Sequence, residues 1–256
     1  MATQQPSRLS QSGALLLGFQ TFLRKEIHEW QRKQGAIALL VFLPIVFSAL
    51  LVFFAKSTAP NQLPDLTLAA SSYSNNPAWT VPVSVLLSIG LITQELDSGT
   101  LSWNLTKPLS RVSFLLGKWL SNTLVIWLFA IVIPNFVSVV ISAIGLGWKT
   151  PNFGQILAFQ VVGFCAVGFW VLLCLFLGVV LKDQASITTG ALIVAALGSF
   201  LPLIPIEEIK PFAPFYPSNT LDWLVSENRF KLFAYLVYMA GMAIATKLIF
   251  DRKEFS

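Results

Sequence analysis

Charge is scarce in this sequence. Asp, Glu, Lys and Arg make up 11% of its 256 residues, less than half of the roughly 25% usual in a soluble domain. It has 12 acidic residues and a single histidine, His28. One histidine cannot supply a His-x-x-x-His metal site, nor a Ser-His pair away from its own basic surroundings. Two cysteines, Cys165 and Cys174, are too few for a disulfide scaffold. They stand nine positions apart in one apolar run, on opposite helical faces, so they cannot pair with each other and read as small apolar filler. A Gly-x-x-x-x-Gly-Lys-Ser/Thr loop is also missing. Gly145-Leu146-Gly147-Trp148-Lys149-Thr150 lacks the glycine before the lysine, so any nucleotide is expected to bind on another chain. The reading is not an enzyme, with no catalytic group, cofactor or metal of its own.

What the sequence has instead is apolar length. Hydrophobic residues make up 55% and mean hydropathy is +0.71. A helix needs about 20 apolar residues to cross the hydrocarbon core. Such runs extend over Ala36–Ala55, Trp79–Thr93, Trp119–Gly145, Ile156–Leu181, Ala185–Pro205 and Leu232–Phe250. The second is short, but its helix can continue into the cytosol. The runs do not alternate, which argues against strands. The expected fold class is an all-α integral membrane protein with six transmembrane helices and an N-terminal amphipathic interfacial helix.

Lys and Arg are distributed unequally between the connections. Twelve fall on the side of the two termini and five on the other, so the positive-inside rule places both termini in the cytosol of a multi-pass cell-membrane protein. No cleavable signal peptide is expected. The expected organisation is a cytosolic N-terminal segment at 1–35, a membrane domain at 36–250 with a cytosolic hairpin at about 94–118, and a tail at 251–256. The stretches Lys56–Ala78 and Ile206–Phe230 are expected outside. Phe212, Phe215, Tyr216 and Trp223 suit the interface level there.

Before the first run, Leu15, Phe19, Phe22, Leu23, Ile27 and Trp30 recur at helical spacing. Arg24, Lys25, His28 and Arg32 fall largely opposite. This predicts an amphipathic helix lying in the interface, with Gly35 allowing the turn into the first span. Glu26 sits near the apolar face, where an isolated carboxylate is costly, so a cationic or hydrogen-bonding partner is expected for it.

The connection after the second run reads Glu95-Leu96-Asp97-Ser98-Gly99-Thr100-Leu101, then Pro108-Leu109-Ser110-Arg111, then Phe114-Leu115-Leu116-Gly117-Lys118. Gly99 allows a bend or close packing, Pro108 an extended turn, and Ser110 is a good N-cap. Glu95 and Arg111 flank the tip, where they can pair or meet a partner. Lys118, like Lys247, is expected to snorkel from a cytosolic helix end. This order of Glu-x-x-x-Gly-Thr-Leu, Pro-x-Ser-Arg and Phe-Leu-Leu-Gly-Lys resembles the signature of type-2 ABC transporter permeases, the copper-enzyme-maturation and gliding-motility permeases above all. Arg24-Lys25-Glu26-Ile27 resembles their elbow helix.

The resemblance implies a permease subunit of an ABC exporter, paired with a second permease subunit and driven by a separate ABC ATPase. It implies that the hairpin is the ATPase-coupling element, through Glu95, Gly99, Thr100, Leu101, Pro108, Ser110 and Arg111. It also implies that Phe22, Lys25, Glu26, Ile27 and Trp30 belong to the elbow, in contact with membrane lipid. No nucleic-acid partner is expected. A membrane anchor that couples an ATPase to a protein assembly, without moving a solute, stays open as the other class.

Inside the runs, ionisable groups are nearly absent, which argues against an ion-coupled carrier. Asn122, Asn135 and Gln160 are the deeper polar residues, and Pro44 and Pro134 are candidate kinks. Gly163, Gly168, Gly190, Gly198 and the Gly241/Ala245 pair are expected at close helix crossings. The Lys182-Asp183-Gln184 turn is either a second cytosolic contact or a plain connector.

Overall fold

The computed structural model of the chain describes residues 11–58, 77–99, 111–146, 153–181, 183–200 and 229–252. Among them every regular element is a helix. In chain order these are α1 (Gln11–Arg32), α2 (Gln34–Thr58), α3 (Pro77–Ser88), α4 (Gly90–Asp97), α5 (Arg111–Trp127), a π-helical turn (Leu128–Val132), α6 (Ile133–Leu146), α7 (Phe153–Val180), α8 (Gln184–Phe200) and α9 (Arg229–Arg252).

Two helical stretches are long and apolar enough to cross a membrane, Arg111–Ile141 and Gln160–Val180. A third candidate is the pair Phe22–Arg32 and Gln34–Leu50, bent by 71° at its break. The α1–α2 break falls at Lys33 rather than at Gly35, which already lies in the first turn of α2. The peptide N–H of Lys33 closes the last turn of α1 on the carbonyl of Trp30 at 2.9 Å, and its own carbonyl accepts from Ile37 N–H at 3.1 Å. One residue therefore ends one helix and begins the next.

α7 is the central post. In an 18-residue apolar portion of its spanning stretch 67% of the residues are buried, against 33% in such a portion of Arg111–Ile141. It packs against α3, α4, α5, α8 and α9. The α5–α7–α9 crossing is tightest at Gly168. A Cβ there would lie 3.3 Å from both Trp119 and Met239, and the Trp119 indole N–H donates to the Gly168 carbonyl at 2.8 Å. Gly241 departs from the expected close crossing: it is exposed, with nothing within 4 Å of the position its Cβ would take.

α2 packs along α6. Both carry a proline, Pro44 inside α2 and Pro134 at the start of α6. The Ser48 hydroxyl donates to the Pro44 carbonyl at 2.9 Å, so Ser138 is the donor in the 2.6 Å contact between the two serine hydroxyls. Ahead of Pro134 the chain widens into the π-helical turn, where Ile133 N–H donates to Leu128 O. A turn of that kind holds one residue more than an α-turn and is common where a helix is interrupted.

Of the loops expected outside, the ends at 56–58, 77–78 and 229–230 belong to α2, α3 and α9, while 59–76 and 206–228, with the far-side aromatics Phe212, Phe215, Tyr216 and Trp223, and residues Thr100, Leu101, Pro108 and Ser110 lie outside the described residues.

Candidate functional site

The residues of interest collect where α1, α4 and the start of α5 meet. α1 turns Phe22, Glu26 and Trp30 inward, at 7%, 2% and 4% exposure. Those positions are four apart, one helical face. Arg24, His28 and Arg32 are exposed, as the amphipathic pattern implies, and Ile27 is exposed beside them. The inward stripe packs on α5, with the Phe22 and Phe114 rings 5.3 Å apart.

Glu26 has the cation its burial demands. The Lys118 ammonium lies 3.1 Å from Glu26 Oε1 and 2.8 Å from Glu95 Oε1. Lys118 therefore does not snorkel: it is 2% exposed, held by two carboxylates from two other helices. Its ammonium also stands 5.6 Å from the Phe114 ring centroid and 6.0 Å from that of Phe22, within cation–π range. A snorkelling lysine needs water at the end of its reach. Here the carboxylates replace that water, so the side chain stays inside.

Lys25 extends the network outward, 3.8 Å from Glu95 and 3.4 Å from Glu29. A second tie runs alongside. The Trp30 indole N–H donates to Asn122 Oδ1 at 2.9 Å, and Asn122 Nδ2 donates to the Lys118 carbonyl at 2.7 Å. These groups line a cavity of about 300 Å³ that Lys33, Gln94 and Ser98 also border. Removing one member of a buried ion pair typically costs about 3–5 kcal/mol, because the other charge stays behind.

Glu95 lies two residues before the end of α4 and points inward at 8% exposure. It does not pair with Arg111. The Arg111 Nη1 donates to the carbonyls of Phe250 and Asp251, at 3.1 and 2.8 Å. These are among the last carbonyls of α9, which lack partners within their own helix. The Phe114 and Phe250 rings stack 6.0 Å apart just above. The first turn of α5 thus holds the end of α9.

After α4 the chain turns at Ser98 and Gly99. Ser98 N–H donates to the Gln94 carbonyl at 3.1 Å, and Gly99 has φ +68°. That left-handed backbone is the bend expected of Gly99. Among the described residues nothing lies within 4 Å of its Cβ position, so against them its glycine serves conformation rather than close approach.

At the other short connection Asp183 Oδ1 accepts the Ser186 N–H at 2.7 Å. Asp183 is the N-cap of α8. The Ser186 hydroxyl first, and then this N–H bond, hold its carboxyl below the usual carboxylate range.

Residues 20–255 match the family model described as ABC-2 family transporter protein. The chain belongs to that family. It is therefore the membrane-embedded permease of an ABC transporter, in keeping with its long apolar helices. No curated protein matches the chain.

Sequence reasoning placed Glu26 and Glu95 in separate elements, the elbow and the hairpin, and the permease joins them on one lysine. It missed Asn122 as a partner of Trp30, and Lys118 as the centre of the site. Gly117-Lys118 stood in the quoted motif. A lysine one turn beyond Phe114, at the head of an apolar run, was the signal available.

Proposed function

We propose that this permease is the membrane half of an ABC exporter in which a separate ATPase docks on the hairpin between α4 and α5. In this reading six helices span the membrane, both termini and the hairpin face the cytosol, α1 lies in the cytosolic interface, and two permease subunits form the path. Two ATPase subunits close on ATP and push the hairpins.

The family match from residue 20 to 255 carries this reading. The unequal spread of Lys and Arg supports its orientation. Gly99, Thr100, Leu101, Pro108 and Ser110 form the docking tip. Glu95 and Arg111 are the feet of the hairpin and act inward, on Lys118 and on the end of α9.

The test is co-purification of the permease with candidate ABC ATPases, followed by ATP-driven substrate movement in proteoliposomes. An ATPase should associate with the wild type, and Gly99→Val should weaken that association while the protein still inserts. If no ATPase associates with the wild type, the reading fails.

A further inference from the structure

We propose that Lys118 is the joint through which movement of the hairpin reaches the elbow. The inference rests on the permease reading and extends it to how force is passed on.

α1 and α4 are supported by different helices. α1 packs chiefly on α5, and α4 chiefly on α7. What joins them is ionic: at the surface Lys25 of α1 stands 3.8 Å from Glu95 of α4, and buried beneath it one ammonium on α5, at 2% exposure, holds Glu26 of α1 at 3.1 Å and Glu95 at the shorter 2.8 Å. Two carboxylates drawn to one cation hold two helices in register. If the cation is taken away the same pair repels, since like charges brought together out of water oppose one another. Glu95 is four residues before Gly99, where the chain turns toward the tip, so displacement of the tip acts on Glu95 with little slack. Glu26 lies six residues before the break at Arg32–Gln34, beyond which α2 departs at 71°. A pull on Glu26 therefore acts near the pivot between the elbow and α2. The joint is electrostatic rather than apolar, which gives it direction: the carboxylates cannot slide along α5 without leaving the ammonium.

The experiment measures the elbow–hairpin distance directly. Spin labels go on cysteines placed at the exposed positions Arg24 and Ser98, in a background carrying Cys165→Ala and Cys174→Ala, with the full-length permease in liposomes. The wild-type network should give one narrow distance distribution. Lys118→Met should broaden it. The pair Glu26→Lys with Lys118→Glu keeps two carboxylates and one ammonium but moves the cation to the elbow, and it should restore the narrow distribution. The neutral triple Glu26→Gln, Lys118→Met, Glu95→Gln leaves no uncompensated charge. It should stay folded and monodisperse, yet remain broad.

A narrow distribution in Lys118→Met or in the neutral triple overturns the joint. So does a swap variant that folds and stays broad. This arm needs no ATPase, so it is judged even if the permease reading falls. With the ATPase present, Lys118→Met should still bind it but should hydrolyse more ATP per substrate moved. The expected increase is about tenfold, inside the range for coupled sites. Unchanged stoichiometry in that variant also overturns the proposal.

Discussion

The indole N–H of Trp30 and the side-chain oxygen of Asn122 meet at 2.9 Å across 92 positions of sequence, both side chains buried. The bond fixes α1 against α5 one turn from Lys118. Trp30→Phe would leave the Asn122 oxygen buried without that donor, at a cost of about 1–3 kcal/mol. Asn122→Leu strands the indole N–H in turn. The double replacement should recover part of the loss, because neither polar group then remains. Thermal unfolding of the four proteins in detergent gives the cycle. Strict additivity would mean that the two residues do not interact.

Gly99 tests conformation apart from contact. With φ +68° and nothing among the described residues within 4 Å, Gly99→Ala should cost about 1–2 kcal/mol through the backbone alone. Gly99→Asn should cost less, since Asn tolerates this region. Gly99→Val should be the worst of the three. The order can be read from protease cutting of the hairpin in liposomes. An equal effect of Asn and Val would show that side-chain bulk, not φ, is what matters.

Arg111 reaches two carbonyls of α9 from the single nitrogen Nη1 at the end of its guanidinium, and a lysine side chain is shorter and ends in a more strongly hydrated ammonium. Arg111→Lys and Arg111→Gln should both fray the end of α9. A charged hydrogen bond is worth about 1.5–3 kcal/mol, so exchange of the last-turn amides should speed up roughly tenfold or more. Hydrogen–deuterium exchange over residues 246–252 measures this. Unchanged protection would mean that the Phe114–Phe250 stack holds the end by itself.

Asp183 gives a pH-dependent cap. Its carboxyl is held below the usual carboxylate range by the Ser186 hydroxyl first and by the Ser186 N–H, the capping bond, second. The bond therefore contributes fully above the unfolded-state value and is lost as the pH falls through the lower folded-state value. Exchange at the start of α8 should rise between neutral and strongly acidic pH in the wild type. In Asp183→Asn, which still caps, that rise should disappear. A pH response persisting in Asp183→Asn would assign it to another group.

The burial of Glu26 was legible because it shares a face with Phe22 and Trp30, and a carboxylate at such a position has to find a partner. The identity of the partner was not legible. Lys118 lies 92 residues away, on an apolar helix whose position relative to α1 is set by packing rather than by local pattern. Near a helix end, a lysine beside apolar residues gives the same sequence signal whether it points to water or to two carboxylates. The contact of Arg111 was hidden for a similar reason. Its nearness to Glu95 along the hairpin suggested a pair or a contact with a partner, while within the chain the last carbonyls of α9, far along the sequence, take the guanidinium. The helices themselves followed from their apolar runs and the bend from Gly99. The break at Lys33 did not follow from Gly35, because a helix can start in front of a glycine as easily as stop at one. No residue pattern marks the π-helical turn in advance.

That turn changes what length means in the Arg111–Ile141 stretch. Removing one residue from an α-helix rotates everything after it by about 100°, turning buried faces outward. Leu128–Val132 already carries one residue beyond the α-helical count. Deleting a single residue there would let the turn relax to ordinary winding, with Ile126 and Ser138 still facing inward on either side of it. The middle of this helix is thus a place where the chain can lose a residue and keep its register, and where the two halves can differ in rotation without unfolding either.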